Sequence, residues 1–357
     1  MDEHYFMSVS PEIFNDFVEK YTVERLRELN DKNKQTPDYR HLGAGLLVYK
    51  LRHASDRFTT FVPPQKTKAF KSDAYAVTED LGIEGKLVEG AFEITKVQKH
   101  SDAYALGIRR GNRILSIDGH PVLEMNEEQV LKLLKPEIGK RVKLFIWLHI
   151  QAKRTEVTLE SKPYFKETVE MLSPPAADII AIKITHFNQK TAEDFAQMLF
   201  SVDPARRRKL VIDLRGNGGG PPLAAREILG YFTPVNDPLF TIARKKQKPV
   251  MLTSPITKEK FTGMIDILVD ETTASAAEMM SGVLQAKKLA RIIGHRTAGA
   301  TYLKSIYDFS DGSMIFMITS LTFFFDRRVF PSEGLTPDIL LTNTQNPMEI
   351  VTSGLSS

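Results

Sequence analysis

The sequence predicts an α/β core of alternating strands and helices, preceded by an inserted β-rich module and an N-terminal helical segment. Three observations carry this. From about residue 178, short apolar runs alternate with helical ones: Ile179–Ile184, Ala192–Phe200, Leu210–Leu214, Pro222–Tyr231, Ile265–Val269 and Ser275–Ala286. Strands apolar throughout belong in a sheet buried on both faces, and a βαβα order calls for crossover connections. Residues 76–165 have another texture, with β-like runs (Phe92–Val97, Arg113–Ile117, Val142–Ile150, Glu156–Leu159) broken by glycines around one helix, Asn126–Leu134. Near the N-terminus, Phe14, Phe17, Val18, Tyr21, Leu26 and Leu29 recur at roughly helical spacing.

Taken in order, residues 9–31 start on Ser10-Pro11-Glu12, with proline at the first helical position, and a second helical pattern covers about 41–55. Phe61 to Ser72, with Pro63-Pro64 and three lysines, reads as a linker. Asn126 is placed to cap the module's helix. Pro174-Pro175 marks the next boundary. The expected division is 1–75 for the helical segment and linker, 76–165 for the module, 166–345 for the α/β core and 346–357 for a C-terminal tail.

With 42% apolar and 26% charged residues, the chain of 357 residues has ample material for packed cores. The net charge of +4, from 48 basic and 44 acidic residues, is too balanced to argue for nucleic acid. The absence of cysteine excludes disulfides, thiolate zinc sites and a cysteine nucleophile. No apolar run reaches the ~18 residues of a spanning helix. Met1-Asp2-Glu3-His4 lacks the basic and apolar regions of an export signal. No His/Asp/Glu cluster has ligand spacing, so neither a metal nor another cofactor is expected.

Two segments could carry chemistry. In Leu210-Val-Ile-Asp-Leu-Arg-Gly-Asn-Gly-Gly-Gly220, a strand runs into glycines and then a helix. Glycines there expose backbone N–H groups at a helix N-terminus, which suits an anion or oxyanion, and equally a plain tight turn. No Gly-Lys-Ser/Thr follows, which argues against a phosphate loop. In Ile267-Leu-Val-Asp-Glu-Thr-Thr-Ala-Ser-Ala-Ala-Glu278, a buried strand ends in a polar turn and a helix begins near Ser275. Ser275 is either an ordinary helix cap or a nucleophile whose oxyanion meets the N–H of Ala276.

In this order and spacing the two segments resemble the C-terminal processing peptidases, or tail-specific proteases. The first is similar to that family's Asp-Leu-Arg-x-Asn-x-Gly-Gly element, the second to its Thr-Ala-Ser-Ala-x-Glu element. Gly294-His-Arg-Thr-Ala-Gly299, Ser310-Asp-Gly-Ser313 and Glu333-Gly-Leu-Thr-Pro-Asp338 resemble its later landmarks. Leu106-Gly-Ile-Arg-Arg-Gly-Asn-Arg-Ile-Leu-Ser-Ile-Asp-Gly119 resembles a PDZ signature. The likeness covers about residues 40–341. It implies a serine endopeptidase, outside the cytoplasm, that acts on protein or peptide C-terminal tails. Ser275 would be its nucleophile, and the N–H groups of Gly219 and Ala276 its oxyanion hole. It further implies that Leu81-Gly82-Ile83-Glu84 is the PDZ loop that binds a terminal carboxylate while the tail pairs with a sheet edge. Gly82 also fits a plain β-turn. The N-terminal helices would either form a homodimer interface or cap the core.

The chain departs from this family at the general base. The usual base is a lysine directly after Thr-x-Gly, oriented by a glutamine four residues later. Here Thr297-Ala298-Gly299 is followed by Ala300, and the glutamine position holds Lys304. On one strand these positions would lie about 13 Å apart on the same face, at ~3.3 Å per residue. Lys304 is one candidate base. Another comes from likeness to tricorn-type peptidases, which use a histidine and a glutamate. Glu333 matches that glutamate, but in Ser55-Asp56-Arg57-Phe58-Thr59 the histidine position holds Phe58. His53 and His186 are the nearest histidines. The remaining alternative is an inactive homologue that binds tails as an adaptor or decoy.

Overall fold

The computed structural model describes residues 58–173, 178–310, 312–342 and 345–353. The two N-terminal helices, their dimer interface, His53 and the Pro174-Pro175 boundary lie outside the described residues. The described residues form two compact units. One comprises 72–170 with 188–191, and the other holds the remaining described residues.

β1 (Thr60–Val62) is followed by α1 (Pro64–Tyr75). The linker expected over 61–72 is therefore wrong. Pro63-Pro64 reads as a break, but Pro64 is the first residue of the helix, where the missing N–H costs nothing.

The smaller unit contains β2 (Val77–Asp80), β3 (Ile83–Val88), β4 (Ala91–Val97), α2 (Asp102–Ala105), β5 (Arg113–Ile117), β6 (His120–Pro121), α3 (Glu127–Leu133), β7 (Arg141–Leu148), β8 (Lys153–Glu160) and β9 (Lys162–Phe165). Its main sheet has the order β3-β4-β5-β7-β8, with β6 paired to β5, while β2 and β9 form a separate antiparallel pair. Phe92, Ile94, Ile114, Ile117, Leu144 and Ile146 fill its core. Asn126 and Gln129 form a reciprocal capping box at α3, each side-chain oxygen accepting the other's backbone N–H at 2.9 Å.

β10 (Val169–Met171) leads on to β11 (Ile179–Ile184), α4 (Thr191–Ser201), β12 (Lys209–Asp213), α5 (Pro222–Leu229), β13 (Pro238–Arg244), β14 (Val250–Thr253), β15 (Met264–Val269), α6 (Ala276–Ala286), β16 (Arg291–Gly294), β17 (Leu303–Asp308), β18 (Met314–Phe324), β19 (Ile339–Leu340) and α7 (Pro347–Ser353). β11, β12, β15, β16 and β19 lie side by side in that order, and every neighbouring pair is parallel. Ile179, Ala181, Val211, Leu268 and Ile293 share one core cluster. The expected α/β core is thus present.

The same unit holds an antiparallel sheet, β1-β18-β13-β14 with β17 on β18, that the sequence did not reveal. Its longest strand, Met314-Ile-Phe-Met-Ile-Thr-Ser-Leu-Thr-Phe-Phe324, has only a partial alternation of buried and half-buried residues, so period 2 is weak in it.

Because β12 and β15 are parallel neighbours in register, with Asp213 opposite Leu268, the loops that follow them leave the same edge of the sheet together. Such carboxyl ends are where open α/β sheets place their sites.

Candidate active site

The glycine loop and the serine turn are laced together by backbone bonds. Leu214 N–H donates to the Leu268 carbonyl at 2.9 Å, and Ala274 N–H to the Asn217 carbonyl at 2.9 Å. The Thr273 hydroxyl donates to the Leu214 carbonyl at 3.0 Å, and Gly216 N–H to Asp270 Oδ2 at 2.9 Å. Asn217 is fully buried, and its amide donates to the Ile184 carbonyl at 2.8 Å. Asp213 ends β12 as a buried carboxylate gripped by the Arg215 guanidinium through two bonds of 2.9 and 2.7 Å.

Ser275 stands directly before α6 with φ 55° and ψ −118°. An ordinary serine cap has β-region dihedrals. This backbone is instead strained for a residue with a side chain, as residues at functional sites often are. Gly219, at φ 100°, packs against it. A Cβ on Gly219 would come within 2.6 Å of Ser275 Cβ, 2.8 Å of the Ala274 carbonyl oxygen and 3.1 Å of Ala276 N. Ala276 is the first residue of α6, so its N–H has no intrahelical acceptor. The structure thus brings Ser275, Gly219 and Ala276 together. Gly219 N–H itself donates to Asn217 Oδ1 at 2.8 Å.

Glu278 organises the far side of the serine. It is fully buried, and its carboxylate accepts four bonds. Ser275 N–H reaches Oε2 at 3.0 Å and Ala300 N–H reaches the same oxygen at 2.8 Å. Gly299 N–H donates to Oε1 at 2.7 Å, and the Thr297 hydroxyl donates to the same oxygen at 2.5 Å while accepting Leu335 N–H at 2.7 Å. Burial pushes this carboxyl above the ordinary glutamate value, and the four donors pull against it. Its role was missed in the sequence, although Ser275-Ala-Ala-Glu278 carries the spacing of a capping box.

Ala300 is buried and adjoins the serine through that shared oxygen. The strand expected to carry both Ala300 and Lys304 begins only at Leu303, and its pairing with β18 shifts register between Leu303 and Lys304. The reason is that Ala300 N–H goes to Glu278 and not to a strand ladder. Lys304 lies in the antiparallel sheet with its ammonium 4.8 Å from the Phe316 ring centroid and 5.8 Å from that of Phe58. Phe58 also packs on Tyr302, ring centroids 5.6 Å apart. Two of the three positions where the chain departs from the families it resembles, 58 and 304, are therefore neighbours, and Ala300 is the third.

Glu333 is exposed and accepts a 3.4 Å bond from the Ser332 hydroxyl. Its loop presses on Gly299, whose added Cβ would meet the Ser332 carbonyl oxygen at 2.1 Å. His186 is half-buried in the turn after β11, next to Phe187, whose N–H donates to the Gly219 carbonyl at 2.8 Å.

In the smaller unit, Leu81 and Ile83 are buried in its core and Gly82 has φ 72°. Gly82 N–H donates to Asp80 Oδ1 at 2.6 Å.

Residues 178–341 match the model of Peptidase family S41, and residues 93–148 that of the PDZ domain. The carboxy-terminal processing protease CtpB of Bacillus subtilis is 26% identical over 310 residues, covering 85% of this chain and 60% of that protein. CtpA of the same organism is 24% identical over 312 residues, covering 85% of this chain and 65% of that protein. This chain therefore spans less than two thirds of the length of these relatives. A crystal structure described as an S41 protease from Bacteroides fragilis shares the fold, with TM-score 0.50, 16% identity, and 85% of this chain and 88% of that chain covered. Among the described residues, no helix is long and apolar enough to cross a membrane. Residues 178–341 thus belong to peptidase family S41, and residues 93–148 form a PDZ domain.

Proposed function

We propose that the chain is a serine endopeptidase in which Ser275 attacks the scissile carbonyl of a polypeptide delivered by the PDZ domain. One observation carries this reading: the strained Ser275 backbone at the head of α6, packed against Gly219. Attack converts the carbonyl to an oxyanion, which the N–H of Ala276 would meet. Gly219 N–H would join it by sharing or releasing its bond to Asn217. Collapse of the intermediate would break the C–N bond, the amine leaving with the proton handed on by the base, and the acyl-Ser275 ester that remains is hydrolysed by water to the carboxylic acid and free Ser275. The serine proton goes to Lys304 or to a group linked to Glu333. For Lys304 this requires its ammonium to leave the Phe316 and Phe58 rings and lose a proton. The resemblance to processing proteases supports a site of action outside the cytoplasm.

The deciding experiment is labelling with a fluorophosphonate probe together with hydrolysis of an unstructured protein. Labelling and hydrolysis that both vanish in Ser275→Ala support the mechanism, and hydrolysis unchanged in that variant refutes it. Full activity in Lys304→Met rules out Lys304 as the base.

The buried Ala300 beside Ser275 favours a second reading, a polypeptide-binding protein without turnover. Alanine transfers no proton, and loss of a general base typically costs about 10²–10⁴-fold in rate. Binding common to wild type and Ser275→Ala, with no hydrolysis by either, would decide for it.

A further inference from the structure

We propose that Asp80 makes the PDZ domain select extended internal segments of proteins and reject free C-terminal carboxylates. The inference rests on the peptide-binding reading of this domain and names its substrate class. A loop that captures a terminal carboxylate does so with backbone N–H groups free to receive it. In this chain Gly82 N–H is already taken by Asp80 Oδ1 at 2.6 Å. The same oxygen accepts the Tyr164 hydroxyl. Asp80 is the last residue of β2, and β9 pins it through the pairs Asp80 with Lys162 and Thr78 with Tyr164. The carboxylate is therefore seated by the fold, with no ligand needed to place it.

A terminal carboxylate arriving at Gly82 would compete for one donor against a carboxylate already bonded there, and two like charges at that separation repel. The loop is closely packed at this point. A Cβ on Gly82 would fall 2.2 Å from Ser101 Cβ, and the Gly82 carbonyl is held by Gln98 N–H at 2.9 Å. Strand addition is unaffected. β3 is the end strand of its sheet, paired only with β4 among the described residues, so its outer edge offers main-chain groups to an extended segment. An internal segment uses that edge and brings no terminal charge to Asp80.

The test uses the full chain, immobilised, and a randomised decapeptide pool made once as free acids and once as C-terminal amides. Retention of each pool is measured on wild type, Asp80→Asn and Asp80→Gly, with thermal melts to show that the variants fold. Asp80→Asn keeps an acceptor for Gly82 N–H and removes the charge, whereas Asp80→Gly frees the N–H. Wild type is expected to retain amides at least as well as acids, and one or both variants to shift the acid-to-amide ratio toward acids by at least threefold. A wild type that prefers acids, or a shift below threefold in both variants, overturns the proposal. If no protein retains either pool, the peptide-binding reading itself fails and takes this inference with it, an outcome distinct from retention without discrimination.

Discussion

Ser275 and Ala300 share one oxygen: Glu278 Oε2 accepts the N–H of the first at 3.0 Å and of the second at 2.8 Å. The position where the resembling family keeps its lysine is thus tied to the nucleophile by a single carboxylate, and a methyl group stands there. Ala300→Lys is expected to raise hydrolysis of an unstructured protein by about 10²-fold, because a buried lysine is desolvated toward neutrality and can take the serine proton. Initial rates for wild type, Ala300→Lys and the Ser275→Ala double variant measure this. A gain that survives loss of Ser275 would show that the rate comes from elsewhere.

Glu278→Gln tests the carboxylate itself. Four donors converge on its two oxygens, and an amide NH₂ would face at least one of them as a second donor. Replacing it leaves buried N–H groups unsatisfied, at about 2–4 kcal/mol in stability. Urea unfolding reads the loss, and fluorophosphonate labelling should slow in parallel as the Ser275 turn loosens.

Gly219→Ala should destabilise the fold by about 2 kcal/mol and reduce Ser275 labelling at least tenfold, since φ 100° suits glycine and the added methyl meets Ser275 and the Ala274 carbonyl. Labelling rates at fixed probe concentration, below the variant's melting temperature, separate the two effects.

Asp270 makes the serine turn sensitive to acid. Burial works to raise its carboxyl, but bonds from the Thr272 hydroxyl, Gly216 N–H, Thr272 N–H and Thr273 hydroxyl outweigh it and hold the carboxyl below the usual aspartate value. A depressed acid stabilises the fold above its unfolded value of about 3.9 and loses that contribution as pH falls through the lower folded value. Melting temperatures of wild type and Asp270→Asn should therefore differ at pH 6 and converge below about pH 3.9. A constant difference across that range would contradict this assignment.

Asp266 is fully buried between Lys209, at 2.9 Å and also buried, and the Arg291 guanidinium, which grips it through bonds of 2.8 and 2.9 Å. Removing the carboxylate leaves the Lys209 ammonium buried with the Val351 carbonyl, at 2.6 Å, as its remaining acceptor among the described residues. Asp266→Ala is expected to cost about 3–5 kcal/mol in urea unfolding.

The sequence alone determined whatever depends on neighbours along the chain. The runs at 179–184, 210–214 and 265–269 read as buried strands because apolar residues dominate both faces, with one charged residue in each, Lys183, Asp213 and Asp266. The glycine cluster after Leu214 and the helix start at Ser275 are written in local residue types, as is the cap at Asn126. The loss of a lysine after Thr297-Ala298-Gly299 is equally local. Tertiary structure alone decided what depends on residues distant in sequence. That Glu278 gathers Ser275, Thr297, Gly299 and Ala300 follows from how β15, β16 and the loop after them meet. That Lys304 lies over Phe316 and Phe58 follows from the pairing of β17 and β1 with β18, a sheet whose strands carry little periodic signal. Asp80 is the same kind of case. Its place before Leu81-Gly82 is visible in the sequence, but Tyr164, 84 residues away, and the β2–β9 pairing fix its carboxylate at the loop. Hydrogen-bond partners of buried groups are chosen by long-range packing, and one-dimensional patterns do not record that choice.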